Sequence, residues 1–317
     1  MRQIIINDDL KKRAKVYANK LFCFRKNIDD IKKDLQALQT IVGASSDYGK
    51  YIDVIINKYV DINSRPVDEV ISFFKSYESL DLTKKKVFNN KTKCFYEHIV
   101  DAMNYELLRT GAAQNGRDLL IDNFRILKIK TCVYCNSQYA VSLVNGTVGF
   151  DFDHVYPKSK YPYLSTNFFN LVPCCPTCNK KKSAKYYGVK FYVKQNPQTL
   201  FSYSLNLKSV ADYCTDFNND KLIVEVRDVS KKNMAKDLLL DDFSNQHKDV
   251  AEDVLIKAYK YTDSSLKGLM DTLGENFYRL WYGVYENESD VYRRPLSAMT
   301  NDIVKQIDEL VKKSHLI

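Results

Sequence analysis

Residues that bend a backbone are scarce in this chain, with 10 glycines and 7 prolines among 317 residues. That scarcity excludes collagen-like and linker-rich architectures and argues against a turn-dense all-β fold, so helix is expected to dominate. Long apolar runs are missing as well. None approaches the roughly 18 residues of a membrane-spanning helix. The amino terminus, MRQIIINDDLKKR, offers only Ile4, Ile5 and Ile6 before two aspartates, unlike a secretory leader. A cytoplasmic protein without membrane contact is expected. Disorder as the main state is excluded by 45% hydrophobic against 27% charged residues. The length suits two compact units or one core with attached subdomains.

Acidic residues are absent from one long stretch. From His154 to Ala211 there is no Asp or Glu but there are nine lysines: Lys158, Lys160, Lys180, Lys181, Lys182, Lys185, Lys190, Lys194 and Lys208. Without these nine, 39 of the 48 basic residues remain, matching the 39 acidic ones, so the whole +9 surplus belongs to this segment. Tyr156, Tyr161, Tyr163, Tyr186, Tyr187 and Tyr192 are interleaved with the lysines. Such a mixture suits phosphate contact with ring stacking beside it, although a lysine run alone is more often a solvated face.

Along the chain, Ile28, Ile31, Leu35, Leu38 and Val42 form one helical stripe over Asn27 to Val42, and an earlier helix from about Asp9 to Phe22 is expected to pair with it. Further helical patterns cover Tyr51 to Val60, Val67 to Tyr77 after Pro66, Cys94 to Thr110, His247 to Tyr261, Ser265 to Tyr285 and Ser297 to Lys313. Trp281, with Phe277 and Tyr285, reads as core. The centre differs in kind. Gln138 to Val144 reads as a strand, Asn145-Gly146 as a hairpin turn, Val148 to Val155 as a second strand and Asn170 to Cys174 as a third. Pro176 then opens a lysine-rich helix. The expected class is α+β and mainly helical, with a helical region over 1–125, a central module over 126–195 and a second helical region over 196–317.

Eight cysteines in a cytosolic chain argue for thiols rather than disulfides. Cys132-x-x-Cys135 and Cys175-x-x-Cys178 each present two thiolates, and two such turns complete the tetrahedron of a closed, structural zinc site. Cys174 could replace Cys175, but the C-x-x-C geometry favours Cys175. The isolated Cys23, Cys94 and Cys214 are expected to pack in the core, and Cys94-x-x-x-His98 lacks the partners of a metal site.

Between the two pairs stand DHVYPKS and NLVPCCPTCNKKKS, containing Asp153, His154, Asn170 and Asn179. Here the sequence closely resembles the HNH endonuclease superfamily, whose ββα-metal core carries a D-H-x-x-P-K-S strand end, an N-L-x-P segment and a C-x-x-C-N-x-x-K helix. The resemblance covers Cys132 to Lys185. It implies that Asp153 and Asn179 hold a catalytic divalent metal, that His154 is the general base and that Asn170 orients hairpin and imidazole. Some relatives carry His where this chain has Asn179. Independently, phosphodiester hydrolysis needs a base that is neutral near pH 7, which imidazole supplies, and hard oxygen ligands suit Mg²⁺ or Mn²⁺. Lys158, Lys160, Lys180, Lys181, Lys182 and Lys185 are the candidate nucleic-acid contacts. DNA is the expected substrate. The run SKYPYLSTNFFNLVPCCPTCN, with Arg293-Arg294-Pro295-Leu296-Ser297, is further similar to bacterial antiphage HNH proteins, including the Septu type, which implies an ABC-type ATPase partner. The competing class is a non-catalytic zinc module that binds nucleic acid or protein.

Overall fold

The computed structural model describes residues 2–21, 27–110, 114–143, 146–230, 232–260 and 263–314; within them helices predominate and the strands form separate two-stranded sheets. The class is α+β and mainly helical. The first helix, Asp8–Lys20, starts where the Asn7 side chain accepts the Leu10 N–H, and Ile28–Val42 starts on a reciprocal Asn27/Asp30 capping box. These two are not each other's main neighbours. Ile28–Val42 packs on Asp47–Asn57, and Asp8–Lys20 lies against Tyr59–Ser64 and Gln114–Ile126. The short 43–46 connection makes the next helix the neighbour, and Gly49 lets the turn close, since a Cβ there would lie 2.2 Å from the Gly43 carbonyl oxygen.

The pattern over Cys94 to Thr110 is broken into Phe95–Ala102 and Tyr105–Thr110 by Asn104, which sits at φ 57°. That break turns Tyr105 toward the centre, where its hydroxyl donates to the Phe152 carbonyl at 3.1 Å. A hairpin that the sequence reading did not include, Lys85–Phe88 with Lys91–Cys94, precedes it. Its two turn residues, Asn89 and Asn90, both have positive φ, the conformation that a two-residue hairpin loop needs. The helix Gln114–Ile126 was also unanticipated.

At the centre, Asp151–His154 runs antiparallel to Leu171–Cys174, with Asp153 opposite Val172 and His154 opposite Leu171. Cys175 then caps the helix Pro176–Lys182. The expected strand over Gln138 to Val144 is reduced to single bridges, Thr131 with Tyr139 and Ser142 with Val148; Val144 and Asn145 lie outside the described residues. The region 196–317 is not wholly helical, because Phe201–Leu205 pairs with Val224–Asp228 and the helix Ser297–Ser314 packs on that sheet.

Both flanks tie into the centre. Ile4–Ile5 pairs in parallel with Tyr192–Val193, and the Tyr292 hydroxyl joins Arg2 N–H and carbonyl at 2.6 and 2.7 Å. Asn136 donates to the Val291 carbonyl and accepts from the Ala298 N–H. Arg293 lies over the Tyr285 ring and Arg294 donates to the Gly283 carbonyl, so both serve this carboxyl-terminal packing. Of the isolated cysteines, Cys214 is exposed and Cys94 half-buried rather than core, and Cys23 lies outside the described residues. His98 is held by the Lys86 carbonyl at 2.9 Å. Trp281 is half-buried, stacked on Phe277.

Candidate active site

One end of the central module is built from sulfur. Cys132, Cys135, Cys175 and Cys178 are buried and their Sγ atoms all lie within 4.8 Å of one another. Zinc bound at about 2.3 Å from each of four sulfurs sets neighbouring sulfurs about 3.8 Å apart. The Cys135 to Cys175 separation of 4.0 Å fits that tetrahedron. Cys174, the alternative to Cys175, directs its thiol to the Cys175 carbonyl. Burial pushes the Cys132 thiol well up, whereas S–H donation from Cys132, Cys175 and Cys178 pulls the Cys135 thiol down. Four adjacent thiolates need a cation, and the donor set suits zinc.

The other end is built from carboxylates. Alternation along Asp151–His154 sends Asp151 and Asp153 to one face, toward the helix Pro176–Lys182, while the His154 ring meets Tyr105 and the Ser165 carbonyl. On the helix, Asn179 and Lys182 are one turn apart and meet the two carboxylates as successive rungs. Asn179 Nδ2 donates to Asp151 Oδ2 at 2.9 Å. Lys182 Nζ lies 3.1 and 3.2 Å from the two oxygens of Asp153 and donates to the His154 carbonyl at 2.7 Å. The Tyr134 hydroxyl adds a 2.5 Å bond to Asp153 Oδ2.

Lys182 is therefore not the surface phosphate contact expected of it. It is 2% exposed, its stem buried and its ammonium paired with a carboxylate that is itself 4% exposed. Burial of the charge is tolerated because three oxygens surround it. The other candidate lysines differ. Lys180 and Lys181 are exposed on the helix, and Lys185 is exposed but paired with Asp237 at 3.0 Å. Lys160 is exposed beside the Tyr161 and Tyr186 rings. Lys158 is half-buried, its ammonium 4.5 Å from the Tyr105 ring centroid, and desolvation lowers its pKa.

His154 is 7% exposed. Its Nε2 lies 2.8 Å from the Ser165 carbonyl oxygen, which can only accept, so Nε2 carries the proton and Nδ1 is the bare nitrogen. Burial first, then the positive charges of Lys158 and Lys182, lowers its pKa to about 3. The ring is neutral at pH 7. Asn170 does not reach the acidic face. Fully buried, it accepts the Tyr156 N–H and donates to the Tyr156 and Leu164 carbonyls, folding the loop that brings Ser165 to His154.

Asp151, Asp153 and the carbonyl oxygen of the Asn179 amide are hard donors on two facing elements, a set whose chemistry fits Mg²⁺ or Mn²⁺. Lys182 already neutralises Asp153 and contends with any cation for the same oxygens. Asp151 went unremarked in the sequence, though its place two residues before Asp153 on a strand put it on the same face. Tyr134, Tyr105 and Ser165 carried no local signal.

Comparison with known proteins gives a family model described as HNH endonuclease, matching residues 132–185. That interval begins at Cys132, the first of the four clustered cysteines, and ends just beyond Lys182, so it covers the sulfur and carboxylate ends together. No curated protein and no solved structure matches the chain. Among the described residues no helix is long and apolar enough to cross a membrane.

Proposed function

We propose that the chain is a metal-dependent endonuclease that hydrolyses phosphodiester bonds of nucleic acid, DNA in preference to RNA, leaving a 5′-phosphate. The observation that carries this reading is the state of His154. An imidazole fixed through Nε2–H to a backbone carbonyl presents a neutral Nδ1 able to take a proton from attacking water. Asp153 and Asn179, with Asp151 beside them, would hold Mg²⁺ or Mn²⁺, which when bound supplies charge neutralisation at the phosphate and the departing oxygen. Asn170 acts on the imidazole indirectly, by shaping the 156–165 loop. The exposed Lys180 and Lys181 would meet neighbouring phosphates.

The test is cleavage of plasmid DNA by the purified chain with Mg²⁺ or Mn²⁺, beside His154→Asn. Loss of a general base lowers the rate by about 10²- to 10⁴-fold. Unchanged cutting by the variant would remove His154 from the mechanism. A second reading, a zinc-stapled binding module without catalysis, is favoured by one observation: Lys182 occupies Asp153 and both motif residues are buried. Absence of cutting with every metal and partner tried would select it. A place in antiphage defence beside an ABC-type ATPase in the cytoplasm rests on the resemblance around Ser159 to Asn179 and Arg293 to Ser297. Failure of the chain to co-purify with an ATPase encoded beside it would end that part.

A further inference from the structure

Beside the loop that leaves His154 lies a cleft of about 690 Å³ which none of the nuclease chemistry uses. One wall is Ser159, Lys160, Tyr161 and Tyr163, from the loop itself; the other comes from the amino-terminal helical region, including Tyr51, Phe74, Tyr77 and Glu78. We propose that this cleft is a nucleotide site, taking an unpaired base of the strand being cut; its place on the strand rests on the nuclease reading above.

Three observations converge on that ligand. The lining is aromatic on both sides, and Tyr163 is already stacked on Phe74 at 3.8 Å, while Tyr161 and Tyr77 are half-buried lining residues. Flat rings in a cleft accept a base by stacking, whatever its identity. The charges are arranged for the rest of a nucleotide: Lys160, exposed and without an ion pair among the described residues, can meet a phosphate, and the Glu78 carboxylate can accept from a base N–H. Finally, Tyr51 lines the cleft, is 2% exposed, and its hydroxyl has no hydrogen-bond partner. A buried hydroxyl left unpaired is costly, and an edge of a bound base would satisfy it. Lys160 is six residues beyond His154, hence no more than about 20 Å away even along an extended chain. A strand with one phosphate at His154 reaches the cleft within a few nucleotides.

The experiment measures binding without cleavage, on full-length His154→Asn chain with zinc content checked. A single-stranded oligonucleotide carrying one 2-aminopurine is titrated, reading anisotropy from a terminal dye and quenching of the 2-aminopurine. Stacking in the cleft quenches that base. Tyr161→Leu should weaken binding about tenfold and abolish the quench, the scale expected for one stacked base. Lys160→Met, a surface change with no bearing on folding, should weaken binding while leaving the quench at saturation. AMP competing at micromolar concentration would identify a free nucleotide as the occupant; competition only by oligonucleotide would identify a strand. Unaltered affinity and quench in both variants would overturn the site. Because nothing is cut in this assay, a wild-type chain that fails to cleave yet shows the tenfold effect loses the nuclease reading and keeps the cleft.

Discussion

The two ends of the central module face the same helix and answer the demand for a cation differently. At the sulfur end four buried thiols lie within 4.8 Å of one another around a common point. At the carboxylate end the protein brings its own cation, the Lys182 ammonium, to Asp153. A permanent metal can be a folding element, so the chain has no need of a substitute. A metal that must admit water and substrate is exchangeable, and a buried carboxylate without it would be an unpaired charge. With Lys182 paired to Asp153, the fold needs no metal ion at the carboxylate end.

The largest effect should come from the sulfur end. Cys132→Ser, or chelation, should remove about one zinc per chain and unfold the module, because structural zinc binding is worth on the order of 10 kcal/mol in small domains. Metal analysis together with circular dichroism reads it out. Asp153→Ala should retain the zinc. If both variants kept it equally, or lost it equally, the separation of the two ends would fail.

Lys182→Met comes next. Removing one partner of a buried pair costs about 3–5 kcal/mol. If Lys182 and a divalent ion contend for Asp153, then Mn²⁺ should raise the melting temperature of Lys182→Met more than that of the wild type, since an ion that binds only the folded state stabilises it. Calorimetry with and without Mn²⁺ makes the comparison. An equal Mn²⁺ effect on both would show that the ammonium and the ion do not share oxygens.

The difference between the ends also explains what could be read from residue order. C-x-x-C turns are local, so two of them announce the sulfur site, and the Asp153-His154 strand and the Pro176-led helix follow from short patterns as well. Lys182 departs from its expected place at the surface because lysine is exposed by default, and only the tertiary pairing with Asp153 and the His154 carbonyl reverses that. Tyr105 and Ser165 reach His154 from 49 residues before it and 11 after it, with no motif to mark them. The strand pair Phe201–Leu205 and Val224–Asp228 lies in a region read as helical, since its alternation is short and its pairing spans an intervening helix. The Asn89-Asn90 turn, by contrast, is a local signal that residue order carries.

The smallest predicted effect sharpens the comparison through pH. The unfolded chain protonates His154 near pH 6.5, and the folded chain does so only near 3. The folded pKa is depressed, so stability is intact above about 6.5 and falls as the pH drops toward 3, by at most about 1.4 kcal/mol per pH unit. Thiolates holding a zinc ion at the sulfur end would also protonate in acid, which would steepen the loss from the other end. Denaturant titrations of wild type and His154→Asn between pH 7 and 5 separate the two, because the difference in slope belongs to the imidazole alone. A slope unchanged by the substitution would mean that His154 takes up its proton in the folded state, which would contradict a ring shielded by Tyr105, Lys158 and the Ser165 carbonyl.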